Sequence, residues 1–545
     1  MRSAARSLLA PLAWVAAVAA LLLLLLPLGF PNYDTIYSLL WGRELAEGHS
    51  PYRDAVLAPT PHPLSELFGL VTSPLGEGAV DLTMVVAYAS LGMVGYLVYR
   101  LGSLWFDRPI GAVAALIVLT RAPYLSNGLR AYIDIPYIAL VLAALVIETK
   151  RPRAGWPVLA LLALAGLLRP EAWLFSLAYL SYLFLGVGRP ARGFGVKAVG
   201  ISREPADAPH EGEAGVPLEP ADTQNGGLIR PPFVGARGTP ASPTLIALAL
   251  AFAGPVLWAL FDWITAGSPT YSLTGTRETV ETLERQTGLV DLVLYGPRRL
   301  GEVLQWPGMV GAAGGVLAGV AIVFSRRRGL QLSPPYSVEK TAIGLVAVAL
   351  ALGAFALLAI AGLAIIPRYT MLAAAILAVF AALALLGWRL LAADHAWRRP
   401  WQAFAVVVAL MFVIWGPNQH DLLSRVDVDL TNQGEIEADL HDLADSGAFQ
   451  YVSGAGSRPP CLPISVPNHR AVPRLAFDLD LQPSRIVSAS QQRQPRRGYF
   501  LDPASPFVVH NFVLDPNDPA RLATPVPPGF RRVAGNDSWV LYRRC

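Results

Sequence analysis

Residues 31–69, PNYDTIYSLLWGRELAEGHSPYRDAVLAPTPHPLSELFG, decide how the rest of the chain is read. They follow the first long apolar run and open with an acid, Asp34. Tyr37, Leu40, Trp41 and Leu45 then fall at i, i+3, i+4 and i+8, which predicts a short helix with one apolar face and with Glu44 and Glu47 off it. Such a helix is too short and too charged to span a bilayer, but it suits a membrane surface. The turn Gly48-His49-Ser50-Pro51-Tyr52 and the segment Thr60-Pro61-His62-Pro63-Leu64 complete the stretch. An acid held just outside a membrane span, above a surface helix, stands where a lipid-linked substrate can be met.

Composition agrees with a membrane setting. The 545 residues are 54% hydrophobic and only 15% charged, with a mean hydropathy of +0.44; an ordinary soluble protein carries about 25% charged residues. The net charge of +4 is spread over many loops. No basic stripe concentrates it, which excludes a nucleic-acid partner. Arg2 and Arg6 precede an apolar run from about Leu8 to Phe30, longer than the roughly 7–15 residues of a signal-peptide core. Its one A-x-A-like site, Ala17-Val18-Ala19, runs into six leucines rather than a polar start, so the run reads as an uncleaved first transmembrane helix.

Further apolar runs near spanning length predict helices around 80–100, 109–124, 131–148, 154–169, 171–187, 243–264, 307–325, 341–366, 368–388 and 401–416, about eleven spans in all. Positive charge collects in alternate loops: Arg100 and Arg108, then Lys150, Arg151 and Arg153, then Arg326, Arg327, Arg328 and Lys340, then Arg389, Arg398 and Arg399. These are the inner loops, which places the N-terminus in the cytoplasm and the tail from about Pro417 outside the plasma membrane. The expected fold is therefore mainly α, a polytopic transmembrane domain over 1–416 with a small extracytoplasmic α/β domain over 417–545. Within the first, 31–79 is an outer loop carrying the juxtamembrane helix. Residues 188–242, rich in Pro, Gly, Ala and acids without periodicity, read as a disordered cytoplasmic linker. The outer loop 265–306 reads as structured, with Thr276 capping a helix that runs to about Gln286. In the tail, Ile436, Leu440 and Leu443 lie at helical spacing, and PFVVHNFVL and DSWVLYRRC resemble strands. The two cysteines, Cys461 and Cys545, both lie in this tail; outside the cell they read as a disulfide, otherwise as two free thiols.

The residues that can carry chemistry sit at outer helix ends. Asp34 reads either as an N-cap or as a general base that takes a proton from an acceptor hydroxyl. Asp134, in Arg130-Ala131-Tyr132-Ile133-Asp134-Ile135-Pro136, reads as a helix cap or as an acid kept near the membrane for a task. Arg130, Arg169 of Arg169-Pro170-Glu171 and Arg368 of Pro367-Arg368-Tyr369 present guanidinium forks that match phosphate, or else snorkel singly to the interface. His62, between two prolines, is a phosphate donor, a metal ligand or a hydrogen-bonded loop residue. One neighbouring histidine, His49, does not make a metal cluster. No Walker loop or strand-borne GxGxxG signals soluble nucleotide chemistry.

Taken together these residues resemble the GT-C superfamily of membrane glycosyltransferases, which use polyprenyl-phosphate sugars. The resemblance lies in the order of parts over about 1–187 and 243–416. NYDTIYSLLWGRELAEGHSPY is similar to the family's acid, tyrosine-containing helix and G-x-x-P-Y turn. PHPL resembles its HPPL segment with one proline after His62 instead of two. Arg130 to Pro136 resembles its R-x-x-x-D/E-x-P element, LAGLLRPEAWLF its L-x-RPE-G element and IIPRYTMLAAAILAVF its late RY helix. The composition is similar to that of actinobacterial members, including protein mannosyltransferase-like and aminoarabinose transferase-like enzymes.

The resemblance implies an inverting glycosyltransferase acting outside the membrane in cell-envelope glycan or glycoconjugate synthesis. Asp34 and Asp134 would be catalytic, with Asp134 binding the acceptor or assisting a metal; Arg368, Arg169 and Arg130 would hold the donor phosphate; His62, Tyr37, Glu171 and Tyr369 would bind substrate. The donor would be a polyprenyl-phosphate sugar, mannose or arabinose for example, and the acceptor a glycan, lipid or protein. The first loop lacks the paired D-D or D-E of many members, so no cofactor is assigned and a divalent metal, Mg or Mn, is left open. A transporter or flippase of lipid-linked sugars would show internal repeats and helices broken mid-span. No repeat relates the two halves, and the polar residues gather at helix ends instead. A non-catalytic scaffold presenting the C-terminal domain is the remaining alternative.

Overall fold

The computed structural model describes residues 2–185, 243–325, 338–452, 460–490, 492, 495–513 and 525–545. The linker expected at 188–242 and the arginines 326–328 lie outside these residues.

The helices follow the apolar runs. They are α1 (Arg2–Leu25), α2 (Tyr33–Ala46), α3 (Pro63–Thr72), α4 (Gly78–Trp105), α5 (Arg108–Leu119), α6 (Ala122–Leu129), α7 (Asp134–Lys150), α8 (Trp156–Gly166) and α9 (Glu171–Phe184). After the linker come α10 (Pro243–Ala266), α11 (Tyr271–Thr282), α12 (Gly288–Ser325), α13 (Val338–Ile360), α14 (Met371–Leu386), α15 (Arg398–Ile414), α16 (Gly416–Asp445) and α17 (Val472–Asp478). Among the described residues five helices are long and apolar enough to cross a membrane, or seven if the bent pairs α5–α6 and α15–α16 each count as one span. That makes the chain a multi-pass membrane protein, and the count of about eleven spans read from sequence is not matched among the described residues. Several runs read as spans form shorter apolar helices: the Pro11–Leu25 part of α1 and α8, and α7 and α9 with 17 and 14 residues.

The bundle is built around α14. Its sequence, MLAAAILAVFAALALL, is apolar on every side, and Met371 to Ala384 are all buried, as expected of a helix with no polar face. Small residues let its neighbours close in. A Cβ on Gly315 of α12 would collide with the Phe380 carbonyl, and one on Gly102 of α4 with the backbone of Gly111 on α5.

The C-terminal residues form a five-stranded sheet ordered β2-β1-β3-β5-β4, from β1 (Ile464–Val466), β2 (Ile486–Ser488), β3 (Gly498–Pro503), β4 (Arg531–Gly535) and β5 (Trp539–Arg544). β1 pairs in parallel with β2 and β3; β5 runs antiparallel to β3 and β4. Cys461, just before β1, is disulfide-bonded to Cys545, just after β5, with Cα atoms 5.7 Å apart. Ile436, Leu440 and Leu443 of α16 pack into the same core.

Four local expectations change. The helix expected on the membrane surface, α2, is buried on both faces. Tyr37, Leu40 and Trp41 enter the core of the C-terminal sheet, while Ile36 and Leu39 pack with Phe68 and Phe477. An isolated amphipathic pattern does not say whether the apolar face meets lipid or protein. The segment PFVVHNFVL, read as a strand, is helical over 506–513, its Pro506 seated in the first turn. Thr276 lies inside α11 rather than capping it, since the helix begins at Tyr271. The helix read from Ile436, Leu440 and Leu443 is the last part of the longer α16.

Candidate active site

Asp34 is positioned by the start of α2. Asn32 occupies the N-cap, its side-chain oxygen accepting from the Asp34 and Thr35 N–H groups, while its amide donates to the Arg130 carbonyl at 2.8 Å. Thr35 Oγ1 donates to the Ala131 carbonyl at 2.8 Å. Asp34 is therefore not the cap, and its carboxylate is released from backbone duty. It meets Arg368, whose Nη1 lies 3.2 Å from Asp34 Oδ2. Arg368 comes from the single helical turn 367–370 that leads into α14, so residues 334 positions apart are joined.

The pair lies on the wall of a cavity of about 290 Å³. His62, Arg169, Glu171 and Tyr369 line it too, with Trp173 and Trp258. Arg169, between α8 and α9, is buried and forms ion pairs with Asp134 and, at 2.9 Å, with Glu171. Its guanidinium lies 4.3 Å from the centre of the Tyr369 ring. Asp134 begins α7 without capping it, Ile133 being the N-cap. The two acids hold the guanidinium more firmly charged than usual despite burial.

His62 packs edge-on against Trp258, ring centres 5.6 Å apart. Burial, together with the charges of Arg169 and Arg368, pushes its pKa down to about 3, so it is neutral at physiological pH. Around the site four buried polar atoms have no hydrogen-bond partner: His62 Nδ1, Asp134 Oδ2, Glu171 Oε2 and Arg368 Nε. Such orphans are uncommon in a folded protein and need a reason; a polar substrate supplies one.

Three sequence candidates do not line the cavity: Asp134, buried against Arg169, and two that lie elsewhere. Tyr37 is fully buried in the core of the C-terminal sheet. Arg130 donates to Gln433 Oε1 of α16 at 3.1 and 3.3 Å and to Ser126. Neither lines the cavity.

Other lining residues carry no chemical role in the sequence reading. Asp262, an acid in the last turn of the otherwise apolar α10, accepts from the Ser272 N–H at 2.9 Å and from its hydroxyl at 2.7 Å. An acid inside an apolar run is the signal that would have found it. Thr60 and Thr276 also line the wall, hydroxyls 2.6 Å apart. The loop from Pro51 to His62 is anchored by Arg53, which donates to both oxygens of Glu66 at 3.0 and 2.9 Å and to Thr265 of α10 at 3.1 Å.

The donor set does not fit a divalent metal beside Asp34. In this structure Asp34 pairs with Arg368, and Asp134 and Glu171 share Arg169. Among the described residues the cluster of three His, Cys, Asp or Glu side chains close enough to share an ion lies elsewhere.

No protein-family model matches this chain, and no curated protein matches it. Solved structures do resemble it. ArnT from Cupriavidus metallidurans bound to undecaprenyl phosphate is 13% identical with a TM-score of 0.48, over 98% of this chain and 97% of that one. The archaeal oligosaccharyltransferase AglB from Archaeoglobus fulgidus, in complex with an inhibitory peptide and a dolichol-phosphate, is 11% identical with a TM-score of 0.44, over 88% of this chain and 64% of that one. Both scores fall below the level that establishes a shared fold.

Proposed function

We propose that the protein is a membrane glycosyltransferase that moves a sugar from a polyprenyl-phosphate donor to an acceptor hydroxyl. The observation that carries this reading is the Asp34–Arg368 pair on the cavity wall, with His62, Arg169, Glu171 and Tyr369 around it. The cavity is also bordered by Pro255, Trp258 and Ala259 of α10 and Leu358 of α13, two helices apolar enough to cross a membrane. A lipid-borne headgroup has both an apolar approach and a cationic end.

Donor binding draws Arg368 from the Asp34 carboxylate to the phosphate, with Arg169 adding positive field behind it. Asp34, then free, accepts the acceptor's proton as its oxygen attacks the anomeric carbon. The bond from that carbon to the phosphate oxygen breaks with its electron pair, and the sugar inverts. Phosphate leaves as a stable anion, so no acid has to protonate it, and the fixed guanidinium groups stabilise the charge that develops. Asp134 and Glu171 hold Arg169 in place, and Glu171, which lines the cavity, offers its unpartnered oxygen to sugar or acceptor hydroxyls. The loop-charge pattern supports an extracytoplasmic site. So does the Cys461–Cys545 disulfide, since such bonds persist in oxidising compartments.

The test is transfer by purified protein in detergent from synthetic polyprenyl-phosphate mannose or arabinose, read as a new glycosidic bond together with release of polyprenyl phosphate. A transporter or a scaffold forms no such bond. Absence of transfer from either donor, to glycan, lipid and peptide acceptors alike, defeats the proposal.

A further inference from the structure

Away from the cavity, three side chains from distant parts of the chain converge. Glu77 immediately precedes α4, His441 lies on α16 and Asp478 ends α17. One ligand atom from each lies within 4.8 Å of the other two. The Asp478 side chain is fully buried, and its Oδ1 has no hydrogen-bond partner. His441 Nδ1 is buried, makes no well-directed hydrogen bond and faces Asp478 Oδ2 at 3.3 Å.

The charges around this point do not balance. Arg474 donates to Asp478 Oδ2 at 2.9 Å and reaches Glu77 Oε2 at 3.5 Å. Asp445 stands 3.6 Å from His441 Nε2. One guanidinium therefore serves two carboxylates while a third, Asp445, stands beside the imidazole, and a buried carboxylate oxygen without a donor is costly unless a cation meets it.

We propose that Glu77, His441 and Asp478 form a binding site for a divalent transition metal, Zn²⁺ by chemistry, which fastens the C-terminal sheet and its helices to the start of α4. One imidazole nitrogen with two carboxylate oxygens is a zinc-type ligand set, whereas Mg²⁺ and Ca²⁺ favour oxygen alone. Asp478 Oδ1 supplies a free lone pair and the neutral His441 ring a nitrogen, while Arg474 keeps its hold on Asp478 Oδ2. The placement also bears on α2. Arg43 of that helix donates to the carbonyls of Phe477 and Ala476 at 3.0 and 3.1 Å, directly beside Asp478. A metal there would fix α17 against the helix that carries Asp34. The site is separate from the proposed reaction and does not depend on it.

The experiment is Zn²⁺ titration of the purified full-length protein in detergent, stripped with chelator and read by competition with a chromophoric chelator. The expected result is one Zn²⁺ per chain, undisturbed by excess Mg²⁺, with at least a tenfold loss of affinity in Glu77→Gln and in His441→Ala. Glu77 has a side chain 51% exposed, so its variant tests the site without threatening the fold. Zn²⁺ should also raise the melting temperature of the native protein and leave that of Glu77→Gln unchanged. Failure to bind Zn²⁺ above background, displacement by Mg²⁺, or undiminished affinity in both variants would overturn the proposal.

Discussion

Asp34 and Arg368 keep side-chain exposures of 27% and 29%, and ion pairs this open contribute only about 0–1 kcal/mol to stability. Their meeting is better explained by chemistry than by folding. Asp34→Asn is expected to slow sugar transfer roughly 10²–10⁴-fold while the melting temperature barely moves. Near-native transfer by the purified variant would remove Asp34 from the role of base. Arg368→Gln should lower kcat by about 10²–10³-fold, the usual effect of deleting one preorganised donor at a developing anion. His62 makes a different prediction. Its folded pKa of about 3 lies below its ordinary 6.5, so the unfolded chain binds the extra proton first as pH falls. The stability held by neutral His62 is complete above about pH 6.5 and is lost progressively toward pH 3. Melting curves of His62→Gln between pH 7 and 4 should therefore fall less steeply than those of the native protein. Parallel curves would show that His62 titrates normally.

At the scale of elements, the contact between α2 and α3 depends on two glycines. A Cβ on Gly42 would lie 2.3 Å from the Leu70 nitrogen, and one on Gly69 would lie 2.5 Å from the Ser38 carbonyl oxygen. Backbone meets backbone here, so no side chain can yield. Gly42→Ala is expected to cost about 1–3 kcal/mol by overpacking and to reduce transfer by displacing the helix that carries Asp34. A thermal melt read beside an activity assay checks both. The Arg53–Glu66 pair behaves unlike the open pair at the cavity, because both side chains are almost completely buried. Removing one partner of such a pair strands the other, at roughly 3–5 kcal/mol. Glu66→Gln should therefore lower expression and melting temperature far more than Asp34→Asn does.

Across the whole molecule, α2 is the shared part. One face completes the core of the C-terminal sheet and the other packs on α3 and α17, so loosening that sheet should be felt at Asp34. The Cys461–Cys545 bond closes a separation of 84 residues, for which loop-closure entropy gives about 4.5 kcal/mol. Cys461→Ser combined with Cys545→Ser is expected to lower the melting temperature and to reduce transfer without altering any cavity residue. Unchanged activity in the double variant would separate the sheet from the site.

The sequence by itself determined the helices and much of the cavity lining. Apolar runs fix where a chain enters hydrocarbon, because unpaired backbone there is too costly, and the predicted helices fall close to the observed ones. Short motifs around Asp34, His62, Arg169 and Arg368 marked residues that all line one cavity. Tertiary structure alone decided the pairing of Asp34 with Arg368, the turning of Tyr37 and Arg130 toward C-terminal residues, and the convergence of Glu77, His441 and Asp478. These are contacts across long stretches of chain. Periodicity and capping are local and report which face of a helix is apolar or which end is closed; they hold no information about what that face or end will meet.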